Sequence, residues 1–224
     1  MQLLNIFRQV LSGKSLWRVL IEKEIRERTI HGNVIDLGSG GQKSYARMMI
    51  QEDHTDLKTI DQKGTTSFPP INLDKDKLPV SDSSVDFALM INILEHLYNP
   101  IFAISEARRA LKESGTLIGF VPFYCHYHPG PKDYFRYTKD ALEHILKDAG
   151  FNNTEQTVKE IGFGPFSSAF HILFLGFPRK RRKIFLPILA VFAVISVIID
   201  KLFIKFNVNG QKESPLGYSF IVKK

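Results

Sequence analysis

The stretch most restrictive of the fold is NVIDLGSGGQKSYARM, residues 33–48. Val34, Ile35 and Leu37 form a short apolar run without helical period, as expected of a strand buried on both faces. Gly38, Ser39, Gly40 and Gly41 follow as a turn. Glycine tolerates positive φ and has no Cβ, so a ligand can approach the backbone there. Tyr45, Met48 and Met49 fall at helical spacing, which predicts a strand–turn–helix unit. A helix start offers N–H groups to anionic ligand atoms. Asp36 adds an acceptor at the end of the strand.

A dinucleotide site would read G-x-G-x-x-G. Here glycines stand at 38, 40 and 41, and Lys43 occupies the place of the third, so that fingerprint fails. Residues 57–61, ending in Asp61, read as the second strand of the same βαβ unit. Asp61 lies 21 residues beyond Gly40. An acid at that distance can accept two hydrogen bonds from vicinal ribose hydroxyls. A third short strand is expected over 71–73, before Asp74. The stretch 78–100, LPVSDSSVDFALMINILEHLYNP, then reads as turn, buried strand (87–91), loop and helix.

These motifs together resemble the class I S-adenosylmethionine-dependent methyltransferases. The resemblance rests on Val-Ile-Asp-Leu-Gly-Ser-Gly, on Leu78-Pro79 with Asp82-Ser83-Ser84-Val85-Asp86, on Leu94-Glu95-His96 and on Asn99-Pro100. It departs from the family at Gln42, where a further glycine is common, and at Val80, where Phe is usual. The resemblance implies a Rossmann-like seven-stranded α/β sheet, mostly parallel with an antiparallel last strand, helices on both faces and a helical insert before the last strand. It implies S-adenosyl-L-methionine as cofactor, held by Asp36, Gly38, Ser39, Gly40, Asp61, Asp74 and Asn92, with Asp74 toward the adenine amino group and Asn92 lining the methionine end.

The remaining chain fits this scheme. Residues 101–112 carry apolar side chains on one helical face, and 115–121 read as a strand stopped by Pro122. Thr138 is the expected N-cap of a helix ending at Ala149-Gly150. Residues 153–161 and 216–222 are the last two strands. Residues 1–28 form two amphipathic helices split at Ser12-Gly13, with Ser15 capping the second. The expected organisation is a helical segment over 1–30, a methyltransferase domain over 31–161 and 213–224, and an apolar, basic helical insert over 162–212.

Methyl transfer to a hydroxyl requires alignment of the nucleophile with the methyl group and a group to take the proton. Ligands of open α/β sheets bind beyond the carboxyl ends of the strands. Candidates there are His96 and the loop FYCHYHPGPKDYFRYT, residues 123–138. His96, His128 and Asp133 are the candidate catalytic groups. His126, Tyr134 and Arg136 are the candidate substrate contacts, although Arg136 pairing with Asp133 or Asp140 is an equal alternative. His126 and His128 beside Asp133 do not complete a ligand set, so no metal is expected. The loop is similar to methyltransferases of glycan and lipid-linked sugar pathways.

Composition bears on partners. The 224 residues carry 30 Lys and Arg against 23 Asp and Glu, a net charge of +7 that favours an anionic partner. The single cysteine, Cys125, excludes an internal disulfide and suits a reducing compartment. No cationic segment precedes an unbroken apolar core at the N-terminus, so no signal peptide is expected.

In the insert, Phe163, Phe166, Phe170, Phe174 and Phe177 share one helical face. Five cations follow at 179–183, then an apolar run over 184–199 broken only by Ser196. Cations beside an apolar helix suit an anionic membrane surface, here through 179–204, better than nucleic acid, whose partners are not expected. The alternative is a buried helical hairpin with solvated cations. Functionally, the expectation is a methyltransferase, cytoplasmic and peripheral or monotopic at the inner face of the membrane, acting on a lipid-linked or glycan acceptor. A catalytically silent interaction module and an enzyme of a soluble small molecule are the alternatives.

Overall fold

The computed structural model describes residues 3–39, 45–152, 157–206 and 213–224. Gly40, one of the expected cofactor contacts, lies outside them. The elements are α1 (Leu3–Leu11), α2 (Leu16–Arg26), β1 (Thr29–Ile30), β2 (Asn33–Leu37), β3 (Ile50–Gln51), β4 (Asp56–Ile60) and β5 (Val85–Ile91). They continue with α3 (Pro100–Ala110), β6 (Leu111–Pro122), α4 (Lys139–Asp148), β7 (Val158–Ile161), α5 (Pro165–Gly176), α6 (Arg179–Lys205) and β8 (Gly217–Lys223).

The chain forms two compact units. A sheet unit comprises Glu24–Val121, Pro129–Lys159 and Ser219–Lys224. A helical unit comprises Met1–Lys23, Pro122–His128 and Glu160–Tyr218. The strand order is β4-β2-β5-β6-β8-β7. β2 runs parallel to β4, with Leu37 opposite Ile60, and to β5, with Asp36 opposite Leu89. β5 runs parallel to β6, with Ile91 opposite Phe120. β8 is antiparallel to β6: the N–H of Lys224 donates to the carbonyl of Gly115 at 3.0 Å, whereas Phe220 faces Gly119. Val34, Ile35, Ala88, Leu89, Leu117 and Phe120 are buried, as strands inside a parallel sheet require.

Among the described residues the main sheet has six strands where seven are expected, because residues 71–73 are not a strand. Pro69 and Pro70 bring no N–H to a ladder. Asn72 and Asp76 then capture the backbone locally: Asp74 N–H donates to Asn72 Oδ1 (3.0 Å) and Asn72 N–H to Asp76 Oδ2 (2.9 Å). The helix expected from Tyr45 is a four-residue 3-10 turn, Tyr45–Met48. β3 begins two residues later and pairs with β1, so Ile50 and Glu52 donate to Arg28 and Ile30 carbonyls. The expected caps form, with Thr138 Oγ1 accepting from Ala141 N–H and Ser15 Oγ from Arg18 N–H.

In the helical unit, α1 and α5 both pack against α6. The stripe of α6 that they cover contains Leu189, Ala190, Ala193, Ser196, Val197 and Asp200, all buried. Small residues at 190, 193 and 196 permit close helix approach. Asp200 accepts hydrogen bonds from the N–H groups of Phe166 (3.0 Å) and Ser167 (2.8 Å), two of the unpaired donors at the start of α5. At the other end of α5, Arg182 donates to the carbonyls of Leu175 (3.1 Å) and Phe177 (2.7 Å) and lies 4.5 Å over the Phe174 ring. One member of the cation run therefore serves the hairpin itself.

Candidate active site

The site begins at the carboxyl ends of β2, β4 and β5. Gly38 follows β2 at φ +71, and its N–H donates to Ile60 O at 2.8 Å. A Cβ there would overlap the side chain of Ile93, so only glycine suits the turn. Ser39 beside it is half-buried. Asp61 follows β4 directly, 7% exposed, with its Oδ1 accepting from Lys63 N–H at 3.0 Å. Asn92 follows β5 in the left-handed region at φ +53, tied by its N–H to Phe120 O at 2.8 Å. Parallel register sets these three positions side by side. Asp36 is inside β2 and buried.

Asp74 sits on the Asn72 turn, and its Oδ1 accepts from Asn99 N–H at 2.8 Å. Asn99 in turn N-caps α3 through Phe102 N–H, ahead of Pro100. Asp74 is thereby fixed to the start of a helix. Gly38 and Asp61 thus stand at the ends of β2 and β4, and Asp74 lies on the Asn72 turn, tied to the start of α3.

Beyond Asn92 the chain makes a 3-10 turn, Leu94–His96. The segment after residue 129 grips this turn within the same unit. Tyr134 N–H donates to Glu95 O at 2.8 Å, and Tyr137 OH donates to Leu94 O at 3.1 Å. Burial, then the charges of Glu95 and Asp74, push the Tyr137 hydroxyl well above the ordinary tyrosine range, so it acts as a donor. His96 Nδ1 lies 2.6 Å from the Lys132 carbonyl. A carbonyl only accepts, so Nδ1 carries the proton and the lone pair of the neutral ring is on Nε2. Nε2 is 3.8 Å from Oε1 of Glu95, whose side chain is fully buried.

Asp133 and Arg136 form a two-pronged pair, Oδ1 to Nη1 at 2.6 Å and Oδ2 to Nη2 at 2.7 Å. Arg136 thus pairs with Asp133, one of the partners expected for it. Tyr134 is exposed and meets Tyr98, also exposed, edge to face at 5.3 Å. His126 and His128 belong to the helical unit, where His128 Nδ1 donates to His126 O at 2.9 Å and lies 3.6 Å from Cys125 Sγ. The sheet unit thus gathers Asp36, Gly38, Ser39, Asp61, Asp74, Asn92, His96, Asp133, Tyr134 and Arg136. Sequence reasoning gave no role to Glu95 or to the Lys132 carbonyl. The first stands inside Leu-Glu-His, but nothing in a sequence marks a glutamate as buried, and a backbone carbonyl leaves no residue signal.

A sequence model of the family described as "Methyltransferase domain" matches residues 35–119. A probable S-adenosylmethionine-dependent methyltransferase of Mycobacterium tuberculosis is 32% identical over 81 residues, 34% of this chain and 30% of that protein. Over this segment the chain is similar to S-adenosylmethionine-dependent methyltransferases. It aligns with under a third of the length of that curated relative. A methyltransferase structure from Archaeoglobus fulgidus shares the fold across 97% of this chain and 98% of its own, at TM-score 0.54 and 14% identity. The [4+2]-cyclase SpnF does so across 99% and 92%, also at 0.54 and 14%. A cyclase on the same frame means that the fold alone does not name a reaction. The family match holds Gly38, Asp61, Asp74, Asn92 and His96, and leaves out Asp133, Tyr134, Arg136 and the whole helical unit.

Proposed function

We propose that the chain is a class I methyltransferase that binds S-adenosyl-L-methionine at Gly38, Asp61, Asp74 and Asn92 and methylates a lipid-linked or glycan acceptor at the inner face of an anionic membrane. The observation that carries the membrane part is the outer side of α6. Ile184, Ile188, Val191, Phe192, Ile195 and Leu202 are all exposed there, opposite the stripe that α1 and α5 cover. Isolated exposed apolar residues need no explanation, but a continuous apolar helix face does. Lys183 at its start is exposed beside the rest of the cation run.

The Arg182–Lys205 stretch is long and apolar enough to cross a bilayer by length and composition. Connectivity favours an in-plane helix instead. β7 and β8, which flank α5 and α6 in the chain, are neighbours in one sheet, so both ends of the insert return to the same side.

S-adenosylmethionine, when bound, supplies an electrophilic methyl group on a sulfonium. Asp61 then holds the ribose hydroxyls and Asp74 the adenine amino group. Gly38 lets the backbone approach closely. His96 Nε2 accepts the proton of the acceptor hydroxyl, and the nearby Glu95 carboxylate stabilises the imidazolium so formed. Tyr134 and Arg136 contact the acceptor, Arg136 while keeping Asp133 neutralised.

The test is incubation of the full chain with methyl-tritiated cofactor and membrane extract, followed by solvent partition. Label in the lipid phase that disappears in Asp61→Ala supports the reading. Label confined to small water-soluble products favours the soluble acceptor. Bound cofactor with no label transferred anywhere favours a silent interaction module.

A further inference from the structure

We infer that the N-terminal helix α1 is a second membrane anchor, lying beside α6 in the same lipid interface; this rests on the membrane reading proposed above. α1 reads LLNIFRQVL, and its apolar residues cover a wider sector than its packing uses. Ile6 and Val10 are fully buried. Moving around the helix from them come Leu3 and Phe7, half-buried, and then Leu11 and Leu4, 39% and 56% exposed. On a helical wheel these six span about 160°, of which the fully buried pair takes about 40°. The outer part is an apolar edge on a helix that already packs against α6.

Charge decides what covers this edge. Across α1, α5 and α6 there is a single carboxylate, Asp200, which is 1% exposed and occupied by the start of α5. The same helices carry Arg8, the run 179–183, Lys201 and Lys205. A second copy would bring cations against cations without an exposed carboxylate on these helices to answer them. An anionic bilayer supplies phosphate groups to the cations and hydrocarbon to the leucines, the match expected of an interfacial amphipathic helix.

The test uses the full chain with vesicles of phosphatidylcholine containing phosphatidylglycerol, and with phosphatidylcholine alone as reference. Leu4→Gln with Leu11→Gln touches only exposed positions and is expected to weaken vesicle partition about tenfold, with circular dichroism and cofactor affinity unchanged. Independently, Leu4→Trp is expected to be quenched by lipids brominated in the acyl chain, while Trp17, 7% exposed, is not. Vesicle binding by the wild type with no effect of the double substitution and no quenching at position 4 overturns the α1 anchor and leaves the membrane reading standing. No vesicle binding by the wild type overturns both. A soluble dimer that the double substitution turns into monomer overturns the inference in favour of a protein interface.

Discussion

The ring of Phe220 on β8 occupies the space in which Gly119 on β6 would carry a side chain. The two residues face each other across the antiparallel pair, so glycine on one strand is what allows the large ring on the other. Gly119→Ala is expected to lower stability by about 1–3 kcal/mol through overpacking. Phe220→Leu in that background should recover part of the loss. Denaturant unfolding of both single variants and the double variant measures the coupling; additive effects would mean that the contact is not specific.

Asp200 closes the start of α5 from within α6, and it does so in an apolar surrounding. Removing it leaves the Phe166 and Ser167 N–H groups buried without that acceptor. Asp200→Ala should therefore cost about 1–3 kcal/mol. Asp200→Asn, which keeps one acceptor oxygen, should cost less. Faster hydrogen exchange at the amides of 166 and 167, with the sheet amides unaffected, is the expected signature.

His171 on α5 is 1% exposed, and neither ring nitrogen has a hydrogen-bond partner among the described residues. Burial, with smaller contributions from His126 and Arg182, pushes its imidazole down from 6.5 to about 4. Below pH 6.5 the unfolded chain takes up a proton that the folded protein refuses. Stability is thus lost as pH falls from 6.5 toward 4 and levels off below that, by about 3 kcal/mol from this group. His171→Phe is expected to flatten that part of the stability profile. An unchanged acid slope in the variant would assign the sensitivity elsewhere.

Much of this was legible in the chain because it lay in local patterns. The apolar run of Val34, Ile35 and Leu37, the acid at 61 and the Thr138 cap each state their own structure within a few residues. The missing strand at 71–73 was not legible, since Ile71 and Leu73 are apolar and only Pro69, Pro70 and the Asn72 and Asp76 side chains decide against pairing. The turn at Tyr45 was misread because helical spacing over five residues cannot outweigh pairing of β3 with β1. The inward use of Arg182 was hidden among five consecutive cations. Long-range contacts such as Lys132 O on His96 carry no signature in sequence at all.

Calorimetric titration of the full chain with S-adenosylhomocysteine is the direct test of the adenosyl site. One site of micromolar affinity is expected, with Asp61→Ala weaker by about 1.5–3 kcal/mol because hydrogen bonds to a charged group are lost. No binding to the wild type, or equal affinity in Asp61→Ala, would contradict it.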